Sequence, residues 1–585
     1  MMKRLYILIL LVPFLTFAQL YVSPNSYVYV NDQVLYVKQD VNLQNNGNLY
    51  LRKEAQLLQG TAGNSTNSGA GKISVFQEGT SDNFDYNYWC SPVGNASALS
   101  GNESFGIILL NQPTSLTVST PAIMLSMAAL DGIASPLSIA PRWIYRYINS
   151  SLYSQWVLAG STLTINPGEG FTMKGTSGSD ATVVDGAPNN SGGAQRYDFR
   201  GKPNDGNISV TVGANNLTLT GNPYPSALHV NAFLLDPSNL SCTGIAYYWE
   251  QNKAVNSHYL QQYQGGYGSY SPVSPASNGI YVPATFDTYD GSGNTNTTGT
   301  SSGLVIERKY APIGQGFMVK GTSNGILTLK NSHRSYYKES GPLSQFERSA
   351  NTPSSTLSIL RLNVSMNDLI TRQIALALLP EATNGVDHGI DAESPAESDL
   401  PNDAFFMIGG SRYVIEGIAF DPQQRVKVGI TSAPSTSFSF HLAEAVHFDE
   451  NQPVYIYDGL DNSYHDIRNG SYNVTLDAGT YENRFELTFT AEALSNEHHQ
   501  SQAFQVVQDN AHNQLRILNP SNATFTKCIL YDVSGKQIFS KANLGSDNEY
   551  QFDTSTWSDG IYLFKAATDS GSTSTTKIAV MNNRN

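Results

Sequence analysis

The sequence predicts an all-β protein: several β-sandwich or solenoid-like modules in tandem, ending in an immunoglobulin-like sandwich. Three observations carry this expectation. Charged residues make up only 14% of the 585-residue chain, and neutral polar residues, glycine and 33 tyrosines fill the deficit; roughly 25% charge is usual for a soluble domain. Short β-branched and aromatic runs recur between turn-forming Asn, Asp and Gly, the pattern of strands. In the last eighty or so residues such runs fall near 505, 516, 529, 538, 551, 562 and 578, as a seven-stranded sandwich requires.

Residues 1–18 open the chain with Lys3-Arg4, an apolar stretch from Leu5 to Phe17, and small residues before Gln19. This is the pattern of a signal peptide cut between Ala18 and Gln19, which makes the general secretory translocon and signal peptidase expected partners. The apolar run is too short to span a bilayer as a helix, so no transmembrane segment is expected. The formal charge is −14, and loss of Lys3 and Arg4 with the leader takes it to −16. An acidic chain without basic runs excludes nucleic acid and anionic membrane surfaces as expected partners. Cys90, Cys242 and Cys528 lack metal-ligand spacing and read as isolated buried thiols, or as a Cys90–Cys242 bridge beside one thiol.

Residues 19–70 form a short β leader whose rungs, such as Val28-Tyr29-Val30 and Leu49-Tyr50-Leu51, suit a sheet edge or a β-solenoid. Residues 71–200 and 201–340 read as two copies of a diverged repeat. Ile73, Pro92, Trp143 and Gly168 answer Ile208, Pro225, Trp249 and Gly314, at offsets of 135, 133, 106 and 146. Unequal offsets place insertions in loops. Residues 341–356 are a linker, 357–490 a β-sandwich module, 491–502 a second linker, and 503–585 the final domain.

That final domain holds Tyr531-Asp532-Val533-Ser534-Gly535-Lys536 between two apolar runs. Asp559-Gly560-Ile561-Tyr562-Leu563 follows, and then a closing strand from Lys577 to Val580. The constellation resembles the C-terminal sorting domain of the Bacteroidetes type IX (Por) secretion system, type A. Its matching residues are Asp532, Gly535, Lys536, Asp559, Gly560, Tyr562 and Lys577. Many such domains open on a Pro-Asn-Pro triplet, where this chain has Gln508-Asp509-Asn510-Ala511. The resemblance implies export by the type IX machinery to the medium or the outer-membrane surface, with the tail removed. The phrases Gly221-Asn222-Pro223-Tyr224-Pro225 and Gly314-Gln315-Gly316-Phe317 are similar to ones in large exported Bacteroidetes proteins.

Candidates for chemistry are few. Gly299-Thr300-Ser301-Ser302-Gly303 matches a nucleophile elbow in letters only, for no apolar strand leads into it. Glu169, in Gly168-Glu169-Gly170, could serve as a glycosidase acid, but its repeat counterpart is Gln315, so a turn role is expected. The carboxylates Asp387, Asp391, Glu393, Glu397, Asp399 and Asp403 could gather as hard oxygen ligands for calcium, or form a solvated face. Asp287, Asp290, Ser292 and Asn294 are a second calcium candidate. His441 and His447 share a face of a strand without a third zinc ligand. Tyr259, Tyr263, Tyr267, Tyr270 and Tyr281 either present rings to a sugar or protein or serve the sheet. The expected function is therefore a non-catalytic adhesion, matrix or glycan-binding protein of the cell surface or medium. The alternative is an extracellular hydrolase acting on polysaccharide or peptide.

Overall fold

The computed structural model describes residues 19–60, 66–301, 303–344, 357–394, 400–433, 435–491, 504–519, 522–533, 535–569 and 573–581. The leader with Ala18, the acids Glu397 and Asp399, and most of both linkers lie outside these residues. The chain divides into two compact units at Ala491 and Glu492. All three cysteines are free and buried.

The first unit begins as a solenoid. Leu20–Val22 pairs in parallel with Val41–Leu43, Tyr27–Asn31 with Asn48–Arg52, and Val34–Val37 with Gln56–Gln59. Facing residues stand one coil apart, Leu20 against Val41 and Tyr27 against Asn48. Alternation turns Leu49 and Leu51 into the core, while Asn25, Asp32 and Asn46 take positive φ at the corners. Asn48–Arg52 then pairs in parallel with Lys72–Glu78, which carries the solenoid sheet into an antiparallel one through Arg196–Pro203.

Two antiparallel strand pairs stand further along. Tyr86–Cys90 pairs with Gly170–Lys174, and Leu217–Gly221 pairs with Gly316–Gly321. The glycines of both Gly-x-Gly-Phe phrases stand where these pairs meet. A Cβ on Gly316 would lie 2.7 Å from the Tyr88 carbonyl carbon, and one on Gly170 would lie 2.8 Å from the Thr220 oxygen. Only residues without a side chain let backbones approach so closely. The contact is sealed by Cys90 N, which donates to Gly314 O at 2.8 Å.

Gly316–Gly321 continues into a sheet through Cys242–Gln251, Gln264–Ser271, Thr285–Tyr289 and Thr295–Ser301. Residues 358–488 build an eleven-stranded sheet that curls nearly closed. Its two end strands, Ser463–Asp466 and Tyr472–Leu476, come together where His465 stacks on Tyr472 at 3.7 Å. This curled sheet does not stand apart from the rest. Arg361 Nη1 donates to Tyr281 O at 2.7 Å, Ser271 Oγ to Gly389 O at 2.9 Å, and Lys320 pairs with Glu393. One buried apolar cluster runs from Tyr88 and Tyr247 through Ile359 to Phe489.

The second unit is a sandwich of seven strands, with three-stranded and four-stranded sheets. Its own core gathers Leu515, Ile517, Phe525, Leu530, Phe564 and Val580.

Candidate functional site

The first unit holds a cleft of about 350 Å³ lined mostly by aromatic rings. Three of the chain's five tryptophans face it: Trp143, Trp156 and Trp249. The period of two along a strand explains which rings arrive there. Tyr86 and Tyr88 turn into the cleft, while Trp89, the next residue along the strand, turns into the core against Tyr197 and Phe199. On the facing sheet Trp249 stands directly opposite Tyr267, with ring centroids 5.3 Å apart. The Tyr88 and Trp249 rings lie within 10° of parallel at 6.3 Å, and the Tyr88 and Tyr267 hydroxyls meet at 2.9 Å.

One end of the cleft is polar and charged. Arg372 gives Nε and Nη2 to the two oxygens of Asp403 at 2.6 and 3.0 Å, and Nη1 to Thr285 Oγ1 at 3.2 Å. Asp287 lines the cleft beside them with only 7% of its surface exposed. Its Oδ1 has no hydrogen-bond partner among the described residues. Burial pushes the Asp287 carboxyl well above the usual carboxylate range, with the charge of Arg372 opposing.

Three of the lining rings, Tyr86, Trp143 and Tyr263, surround a buried lysine. Lys174 Nζ lies 4.3 Å from the Trp143 ring centroid, 4.7 Å from that of Tyr263 and 4.9 Å from that of Tyr86. It donates to Tyr263 Oη at 2.7 Å and meets His258 Nδ1 at 3.3 Å. His258 Nε2 in turn meets Asp131 Oδ1 at 2.8 Å. Burial pulls Lys174 down to about 7, against the upward pull of Asp85, Asp82 and Asp131.

The sequence candidates separate in this geometry. Tyr263 and Tyr267 line the cleft. Tyr270, an odd number of residues on, faces the other side of its sheet, buried, with its hydroxyl on Asn231 Oδ1 at 2.6 Å. Tyr281 is also buried, bonded to Glu250. Tyr259 stands exposed on the surface. Asp287 and Asp290 part company, since Asp290 sits in a turn accepting from Ser292 N and Asn294 N. Glu169 pairs with Arg146 and accepts from Asn166 N, a turn role.

The acidic stretch disperses as well. Asp387 accepts from Thr383 N, Glu393 pairs with Lys320, and Asp391 accepts from the backbone of Asp387 and of Gly417. Among the described residues no three His, Cys, Asp or Glu side chains converge as a metal site would need. Asp391 is instead coupled to Glu416, which is buried with Oε2 unpartnered among the described residues. Burial raises Asp391 to about 6 and Glu416 to about 8, the latter helped by the charge of Asp391. A carboxyl raised in the fold binds its proton more tightly folded than unfolded, so stability falls as pH rises from the unfolded value towards about 8. Glu416→Gln therefore stabilises the protein at pH above ~6, by about 3 kcal/mol at neutral pH, and changes little near pH ~4. Thermal unfolding across that pH range checks this, and a pH-independent effect contradicts it.

In the tail unit Lys536 N donates to Asp532 Oδ1 at 3.0 Å, and Gly535 holds φ at +82° between them. Asp559 precedes the strand Gly560–Thr568, where Tyr562 faces Asp532 on one side and Ile578 on the other, next to Lys577. Asn510, in the place of the missing triplet, ties the first turn to the last strand through Ala579 O at 3.1 Å and Met581 N at 3.0 Å.

Residues 118–489 match the family described as a domain of unknown function (DUF8693). Residues 511–581 match the secretion system C-terminal sorting domain. No curated protein matches the chain. Among solved structures, a polysaccharide lyase shares 8% identity over 39% of this chain, with a TM-score of 0.11. The chain spans only 40% of that lyase. The BSP domain of a biofilm associated protein shares 9% identity over 88% of this chain and 96% of its own, with a TM-score of 0.12. At those scores neither likeness bears on fold or function.

Proposed function

The chain belongs to the DUF8693 family through residues 118–489 and carries a secretion sorting domain at 511–581, and from that premise we propose that it is a non-catalytic carbohydrate-binding protein. The sorting domain makes it a type IX cargo, delivered to the cell surface or beyond by the machinery that reads the tail. Among the described residues no helix is long and apolar enough to cross a membrane.

The aromatic cleft carries the proposal. Sugars offer flat C–H faces and hydroxyl edges. Tyr88, Trp156, Trp249 and Tyr267 supply rings for the faces, while Thr172, Asp287 and Arg372 supply hydrogen bonds for the edges. Glycoside hydrolysis by the common route needs two carboxyls flanking the scissile bond. Among the described residues Asp287 is the one acid lining the cleft, and Asp403 is engaged by Arg372. That favours binding over turnover.

A glycan screen of the full chain tests the reading. A ligand found there loses at least tenfold in affinity, about 1.4 kcal/mol, in Trp249→Ala. A screen without any binder, or a bound glycan that is cleaved, overturns the proposal.

A further inference from the structure

We propose that the charged end of the cleft receives a protonated amine carried on a sugar ring, with the Asp287 carboxylate as its counter-ion. This rests on the carbohydrate reading above and narrows it to amino sugars.

Charge balance is the first argument. Asp287, Asp403 and Arg372 bring two acids and one cation to the same end of the cleft. Arg372 commits Nε and Nη2 to Asp403 and Nη1 to Thr285, so its charge is matched before Asp287 is counted. Asp287 is left buried, with Oδ1 unpartnered among the described residues. A buried carboxylate is stable only when paired or protonated. An ammonium seated against it supplies the pair; a sugar hydroxyl supplies a dipole only.

The rings of the cleft attract a cation as well. Cations are attracted to aromatic faces within about 6 Å of the centroid. Three of the rings that line the cleft already hold one this way, the Lys174 ammonium among Tyr86, Trp143 and Tyr263. That charge does not repel a second cation strongly, because Asp85, Asp82 and Asp131 act on the same lysine. The lining of the open part of the cleft repeats the chemistry with Trp249, Tyr267 and Tyr289, in the same space as the Asp287 carboxyl.

A consequence follows for protons. Burial keeps Asp287 protonated far above the ordinary carboxylate range in the empty cleft. An arriving ammonium favours the ionised form, so the carboxyl releases its proton to solvent as the pair forms.

Calorimetric titration of the full chain with glucosamine oligomers and with glucose oligomers of the same linkage and length isolates the effect, because amine and hydroxyl are nearly the same size. The amine series is expected to bind at least tenfold more tightly. At a pH below the amine's own pKa, where it arrives already protonated, its heats should vary with the buffer's ionisation enthalpy, as release of about one proton requires. Asp287→Asn should bring the two series within threefold of each other. Asp290→Asn removes the same charge from the exposed turn and should keep the preference. Equal affinity of the two series in the unmodified chain overturns the inference and leaves the carbohydrate reading standing. So does a preference that persists in Asp287→Asn. If neither series nor any other glycan binds, the parent reading falls. Capture of a lysine-bearing peptide in place of the amine oligomers overturns the inference as well.

Discussion

Removal of residues 503–585 abolishes delivery of the protein to the surface and medium, and leaves the rest of the chain folded. The second half of that statement follows from the architecture. The tail is a separate compact unit with its own core of Leu515, Ile517, Phe525, Leu530 and Phe564, and the buried cluster from Tyr88 to Phe489 is built from residues of the first unit. The first half follows from the sorting domain at 511–581. Cell fractionation should find the truncated chain retained inside the cell envelope, with unchanged resistance to limited proteolysis. Conversely, residues 503–585 fused behind a signal peptide and a fluorescent protein should carry that protein out. Unchanged surface or medium levels after truncation would remove the export assignment.

Asp403→Ala should destabilise the first unit by about 3–5 kcal/mol, the range for stripping one partner from a buried ion pair. Arg372 and Asp403 are 3% and 2% exposed, bonded through two parallel contacts, and Asp403 also accepts from Ala404 N. Without Asp403 the buried guanidinium keeps only the Thr285 and Ser394 hydroxyls as hydrogen-bond partners and the charge of Asp287 beside it. The loss is read as a lower denaturant midpoint by near-ultraviolet circular dichroism. Replacing both members with apolar residues of similar volume should recover much of the loss, since the desolvation cost goes with the charges. A single-variant cost below about 1 kcal/mol contradicts the buried pair. Because Arg372 also lines the cleft, the same variant is expected to weaken ligand binding.

Much of this architecture was legible from local pattern. The seven strands expected in the tail are all present, from Gln505–Asp509 to Thr573–Val580, because turn residues and apolar alternation act within a few neighbours. The solenoid rungs near the start were legible for the same reason, although whether they formed a coil or a flat edge depended on parallel pairing some twenty residues away. The curl of residues 358–488 and its docking against the preceding sheet were not legible. They rest on contacts such as Arg361 with Tyr281, which no local signal encodes.

The cleft marks the same boundary. Trp143 and Trp249 stand at matching positions of two chain segments, yet nothing in their spacing announces that they face one space with Tyr88. Tyr267 and Tyr270 look equivalent in sequence and are not, since an odd separation on a strand sends them to opposite faces. Asp287 read as a weak calcium ligand beside Asp290, and the strand buries the first while the turn exposes the second.

By itself, then, the sequence determined the all-β class and the export address, since both are written in short-range alternation, turn chemistry and a contiguous terminal motif. Only the tertiary structure decided where a ligand can sit. That depends on bringing Tyr88, Trp156, Trp249, Asp287 and Arg372 from separate strands and loops to one cleft, and burial there, not residue type, keeps the Asp287 carboxyl protonated with its Oδ1 unpartnered among the described residues.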